Sequence, residues 1–190
     1  AEGRACLRVH RTTPTLALSR RDVLRPGAEQ ARHQARNLGY TPLTRLAGGR
    51  VVAYDEGCVV VDLVGPRRAG DLDVTGRFEE FGARIAAALG SLGVPAACGP
   101  VPGEYCPGEH SVNGAGRVKL AGTAQRVTLG AWLCTAVVVA RRTPRLVDVL
   151  DAAHTSLGYP WVPTSVGAVR DFVTVDESDV VAALVAEFGR

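Results

Sequence analysis

Hydrophobic and polar positions follow two rhythms along this chain. Leu7 to His10 and Thr15 to Ser19 show the two-residue alternation of short strands on either side of a Thr-Pro turn. From Arg25 to Leu38, alanines and charged residues recur at helical spacing, and Gly39 is placed to cap that helix. Thr44 to Leu46 leads to a Gly48-Gly49 pair. The β-branched segments Arg50 to Tyr54 and Cys58 to Val64 then read as an antiparallel hairpin turning at Asp55-Glu56-Gly57.

The rhythm next lengthens. Phe78, Phe81, Ile85, Leu89 and Leu92 recur every three or four residues, which predicts an amphipathic helix with Thr75 as its N-cap. Val94 to Gly108 is rich in proline and glycine and reads as an irregular loop. Arg117 to Arg126 and the continuous apolar run Ala131 to Ala140 read as strands. Thr143-Pro144 has the cap-then-proline order of a helix start, with the end near Leu157-Gly158. A last helix is expected from about Glu177 to Phe188, with Val180, Val181, Leu184, Val185 and Phe188 as its apolar stripe. Strands dominate the middle, helices flank them singly, and no regular strand-helix-strand alternation is visible. The pattern predicts an α+β fold, a mixed and largely antiparallel sheet flanked by helices.

Composition narrows the functional classes. The chain has 190 residues, 46% of them hydrophobic, enough to bury a core. Its net charge of +3 is small, and groups such as Arg20-Arg21, Arg67-Arg68 and Arg141-Arg142 are short, which argues against nucleic acid as a partner. Five cysteines, odd in number and irregularly spaced, argue against a secreted disulfide framework. The first residues lack the layout of a signal peptide, and no apolar run suits a membrane span. The expected compartment is the cytoplasm, with no membrane partner.

Three segments depart from what packing alone requires. Gly48-Gly49 lets the backbone approach a ligand closely, although an ordinary turn uses such a pair too. Cys106 lies in a loop between Tyr105 and Pro107-Gly108, where an inert cysteine is less expected than on an apolar strand, the setting of Cys58 and Cys134. A loop thiol near a cation becomes a nucleophile. Lys119 is the candidate cation, because it sits in an otherwise apolar strand and either points outward or is held for a polar partner. His110 follows Cys106 closely enough to be a thiol base or a plain exposed histidine. With Cys98 it does not complete a zinc set, so no metal is expected.

Together these segments resemble the catalytic domain shared by lipoate-protein ligases, octanoyltransferases and biotin ligases. Thr44 to Asp55 is similar to that family's Arg-x-x-Gly-Gly-x-Ala-Val-x-x-Asp stretch, which lines the acyl tunnel. Gly116 to Arg126 is similar to its lysine segment, and the match makes Lys119 the family's catalytic lysine. Tyr105-Cys106-Pro107-Gly108 resembles the cysteine-dependent octanoyl amidotransferases. The resemblance runs from about residue 7 to the C-terminus, essentially the whole chain, and implies a single domain, residues 1–190, with no counterpart of the ligase accessory domain.

The resemblance implies an acyltransferase that moves an octanoyl or lipoyl group between lipoyl-domain lysines through a Cys106 thioester. Lys119, with backbone N–H groups near Gly122 and Thr123, would hold the oxyanion. Arg45, Gly48, Gly49, Arg50, Tyr54, Gly122, Thr123 and Ala124 would bind substrate, with Gly48-Gly49 flooring the acyl slot and Trp132 narrowing it. The implied partners are the glycine cleavage H protein and 2-oxoacid dehydrogenase E2 subunits, and no cofactor is required. Two alternatives stay open: an ATP-dependent lipoate-protein ligase that needs no cysteine, and a non-catalytic homologue that binds the acyl group or a lipoyl domain.

Overall fold

A computed structural model describes residues 3–67 and 73–189; Arg68 of the Arg67-Arg68 pair lies outside them. Among these residues the chain forms β1 (Cys6–Arg11), β2 (Thr15–Leu18), α1 (Ala28–Asn37), β3 (Thr41–Thr44), β4 (Val52–Tyr54), β5 (Cys58–Pro66), α2 (Val74–Ser91), β6 (Ala96–Cys98), β7 (Val112–Gly114), β8 (Val118–Val127), β9 (Ala131–Val139), α3 (Pro144–Leu157) and α4 (Glu177–Phe188). The larger sheet has six described strands in the order β1-β5-β9-β8-β7-β6, and the smaller has three in the order β3-β2-β4. All neighbours in the larger sheet run antiparallel. In the smaller, β2 is parallel to β3 and antiparallel to β4. The expected mixed, largely antiparallel α+β fold is the one found.

Two apolar clusters hold the layers. Phe81, Ile85 and Leu89 of α2 and Val180, Leu184 and Phe188 of α4 pack against Val59, Val61, Cys134 and Val138 on one face of the larger sheet. Leu16 and Leu18 of β2 join Ala31 and Ala35 of α1 and Leu146, Val149 and Leu150 of α3 in the second. The period-2 pattern of β9 therefore divides its side chains between the α2/α4 layer and the space facing the smaller sheet.

Four expectations need correction. Arg50–Tyr54 and Cys58–Val64 do not pair with each other: β4 joins the smaller sheet and β5 the larger. The corner between them is fixed by distant groups. Asp55 is buried, and its carboxylate accepts from the Tyr40 hydroxyl at 2.7 Å, the Gly57 N–H at 2.9 Å and the Thr143 hydroxyl. A Cβ on Gly57 would lie 2.1 Å from the Arg141 carbonyl oxygen, so the chain can turn there only without a side chain. The N-cap of α2 is Asp73, which accepts from the Gly76 N–H at 2.7 Å, rather than Thr75. Val185 is 47% exposed and stands off the α4 stripe. The loop from Val94 to Gly108 contains a short strand, β6, paired with β7.

α3 starts at its expected cap, Thr143, whose hydroxyl accepts from the Leu146 N–H while also donating to Asp55. One side chain thus ties the helix start to the corner between the sheets. No described helix is long and apolar enough to cross a membrane.

Candidate active site

Between the two sheets lies a cavity of about 260 Å³ with a mostly apolar wall. β4 supplies Val52 and Tyr54, and β9 supplies Leu133 and Val137. Cys106 and Lys119 both open onto it, although they reach it from different elements. Cys106 sits in the loop after β6 with φ +45°, a left-handed conformation that a non-glycine residue adopts at a cost and that often marks a functional position. It is half-buried, unlike Cys58 and Cys134, which are fully buried and whose thiols burial pushes up to about 12 and about 11.

The Cys106 sulfur has two donors, both from the Arg45–Arg50 stretch. The Arg50 main-chain N–H points at it from 3.1 Å, and an Arg45 guanidinium nitrogen lies 3.8 Å away. Arg45 also closes its own loop by donating to the Arg50 carbonyl at 2.6 Å, and Arg126 of β8 clamps the same loop through the Leu46 carbonyl at 2.9 Å. Gly49 makes the approach feasible. Its φ is +96°, and a Cβ there would sit 2.8 Å from the sulfur. An N–H donor and a guanidinium beside a sulfur suit a thiolate.

Lys119 is buried, with only 1% of its side chain exposed, and its ammonium donates to the Tyr105 and Cys106 carbonyls at 3.0 and 2.9 Å. It therefore grips the main chain that carries the sulfur. The Glu104 carboxylate stands 3.5 Å from it and is equally buried. The other carboxylate oxygen accepts from the Gly108 N–H at 2.9 Å and the Ser111 hydroxyl at 3.0 Å, bracketing the cysteine loop from both ends. Burial pulls the lysine below its ordinary range, and the charges of Glu104 and Cys106 oppose that pull.

The family model for the lipoyl protein ligase A/B catalytic domain matches residues 1–189. The chain belongs to that family. Relatives named octanoyl-[GcvH]:protein N-octanoyltransferase include one from Geobacillus kaustophilus, 31% identical over 116 residues, covering 61% of this chain and 41% of that protein. One from Kyrpidia tusciae is 33% identical over 128 residues, covering 66% and 43%. The matched region is thus less than half the length of either relative. Among solved structures, a lipoate-protein ligase A bound with ATP superposes with a TM-score of 0.76 at 23% identity, over 99% of this chain and 72% of that one. A structure from work on a bipartite lipoate protein ligase and its E2 lipoyl domain from Thermoplasma acidophilum gives 0.70 at 23% identity, over 99% and 71%. At such identity these likenesses speak for the fold.

Within this lipoyl ligase fold the candidate residues divide. Arg45, Tyr54, Cys106, Lys119, Gly122, Thr123 and Ala124 all face the apolar cavity. Gly48 and Gly49 do not floor it; they line a second cavity of about 210 Å³ to which Cys106 also belongs. The side chain of Arg50 lies over the Tyr159 ring, with its guanidinium carbon 4.8 Å from the ring centre, so this residue reaches the site through its N–H. Trp132 does not narrow the acyl slot either. It lies against Gly65 and under Arg77 on the α2 side of β9. Gly122 packs on the lysine, since a Cβ there would be 3.2 Å from the Lys119 side chain.

Sequence reasoning missed Glu104 and the Arg50 N–H. A main-chain donor leaves no residue-type signature. Glu104 in a proline- and glycine-rich loop looks like an ordinary solvated acid, and only its place next to the Tyr-Cys segment hinted otherwise. Among the described residues no group of three or more His, Cys, Asp or Glu is arranged to hold a metal ion.

Proposed function

We propose that this chain is an acyltransferase that moves an octanoyl or lipoyl group from one lipoyl-domain lysine to another through a thioester on Cys106. The observation that carries the reading is the placement of one half-exposed sulfur, with two donors aimed at it, at the wall of an apolar cavity that also receives Lys119. An acyl chain suits the cavity, which leaves its carbonyl beside the sulfur.

The chemistry has two matched halves. The Cys106 thiol gives up its proton as its sulfur attacks the carbonyl of an acyl-lysine amide, the C–N bond breaks, and that proton goes to the departing amine. The lysine of the second carrier, as its free amine, then attacks the thioester, the C–S bond breaks, and the proton shed by the new amide nitrogen goes to the sulfur, returning the thiol. One amide replaces another, so the exchange needs no external energy source. That is the reason to propose transfer without ATP or any other cofactor. Lys119 fixes the main chain of residues 105 and 106, and its charge at the wall of the same cavity favours the oxyanion of each tetrahedral intermediate.

The names of the relatives support the octanoyl group and the glycine cleavage H protein as donor. 2-Oxoacid dehydrogenase E2 subunits are the proposed acceptors, and the cytoplasm, where such carriers meet, is the proposed compartment. The deciding experiment replaces Cys106 by Ala and assays the protein with an octanoylated carrier and an apo acceptor, with and without ATP plus free octanoate. Loss of transfer supports the proposal. Undiminished ATP-dependent loading of free octanoate by the variant would instead establish the ligase, and carrier binding without turnover by the unaltered protein would establish the non-catalytic homologue.

A further inference from the structure

The apolar cavity has a neighbour of different character. The second cavity, about 210 Å³, shares Cys106, Thr123 and Ala124 with the first but is lined further out by His110, Ser111, Gln125 and Phe78. Cys106, Thr123 and Ala124 thus belong to the walls of both an apolar space and a more polar one. His110 is held in place there twice. Its ring stacks on Phe78 of α2 with centroids 5.0 Å apart and planes 10° from parallel, and its main-chain carbonyl accepts from the Thr123 hydroxyl at 2.9 Å. The latter bond ties the loop to β8 beside the shared wall.

On this geometry we infer that the second cavity is the entry for the acceptor lysine and that His110 is the base that takes its proton. The inference rests on the thioester reading above. With the acyl chain in the apolar cavity, the second cavity, which is also lined by Cys106, offers a separate approach to the thioester carbonyl. A slender alkylammonium with an apolar stem fits a passage with an aromatic stack on one wall. A lysine side chain has an ordinary pKa near 10.4, so it arrives protonated and cannot attack until a base removes a proton. A His110 ring nitrogen takes that proton, the freed amine attacks the thioester carbonyl, and the C–S bond breaks. The nitrogen's second surplus proton goes to the departing sulfur, leaving an amide, a thiol and a protonated His110.

The test separates proton removal from structure by comparing two small nucleophiles. p-Nitrophenyl octanoate loads Cys106 without any amine having to leave, and the acyl-enzyme is then discharged by Nα-acetyl-lysine amide or by hydroxylamine, which is already unprotonated near neutrality. His110→Gln is expected to slow discharge by the lysine amide about a hundredfold and leave discharge by hydroxylamine within about twofold. His110→Asn repeats the comparison should the first variant fold poorly. Equal rates with the lysine amide in wild type and variant, or an equal slowing with both nucleophiles, overturns the role of His110. If p-nitrophenyl octanoate leaves no adduct on Cys106 of the unaltered protein, the thioester reading fails and this inference falls with it.

Discussion

Lys119 and Glu104 face each other at 3.5 Å with about 1% of each side chain exposed. The pair is buried at the base of the cysteine loop, where each partner also holds main chain: the lysine the carbonyls of residues 105 and 106, the glutamate the N–H of Gly108. Removing one charge strands the other. Lys119→Met should lower stability by about 3–5 kcal/mol in denaturant unfolding. Adding Glu104→Gln should recover part of that loss, so the two changes together cost less than their sum.

The same pair sets an expected pH dependence. Burial holds the folded Lys119 below its ordinary 10.5, with Glu104 as the largest opposing influence. A step that needs the ammonium is complete below the folded value and lost as pH rises through it, at a pH under 10.5. The unfolded lysine keeps its proton more tightly, so this residue's contribution to stability grows with pH across that window. Glu104→Gln removes an upward influence and should move the alkaline limb of the transfer rate to lower pH. A limb that stays put in the variant would show that Lys119 does not govern it.

Gly49→Ala tests the approach of backbone to sulfur. The added Cβ would lie 2.8 Å from the sulfur and 2.7 Å from an Arg45 nitrogen, at a φ of +96°. The strain should cost about 1–2 kcal/mol of stability. The rate of thioester formation should fall about 10²-fold, because displacing the sulfur or its donors by a fraction of an ångström spoils alignment. A variant that forms thioester at the original rate would dissociate the Arg45–Arg50 stretch from the chemistry.

Local pattern carried most of the helices and the larger sheet. α4 begins and ends where its apolar spacing predicts, and α3 begins at its Thr-Pro cap. What the pattern could not carry depends on groups distant in sequence. Asp55-Glu56-Gly57 has the composition of a hairpin turn, yet Asp55 is anchored by Tyr40 and Thr143, and the two segments it joins enter different sheets. Trp132 and Leu133 are adjacent, so a strand's alternation sends one to the α2 layer and the other to the cavity, and sequence alone leaves open which. Cys106 and Lys119 were legible because a loop cysteine and a lysine in an apolar strand each break their local pattern. The donors to the sulfur were not, since one is main chain and the other is Arg45, which reads as a substrate-binding residue.

The cavity between the sheets sets the expected acyl length. Val137 projects into it from β9. Val137→Phe fills part of the space and should lower the rate with octanoyl donors at least about tenfold while butyryl donors keep most of theirs, a discrimination of about 1–3 kcal/mol. Competition between the two donors, read by mass spectrometry of the acceptor, measures it. An unchanged preference would place the chain elsewhere.

The most direct measurement is the intact mass of the protein after mixing with an octanoylated carrier and no acceptor, followed by peptide mapping. The account predicts an increment of one octanoyl group, on Cys106, that disappears when an apo acceptor is added and never forms in Cys106→Ser as a hydroxylamine-sensitive thioester. Transfer to the acceptor with no adduct on Cys106 at any time would contradict it.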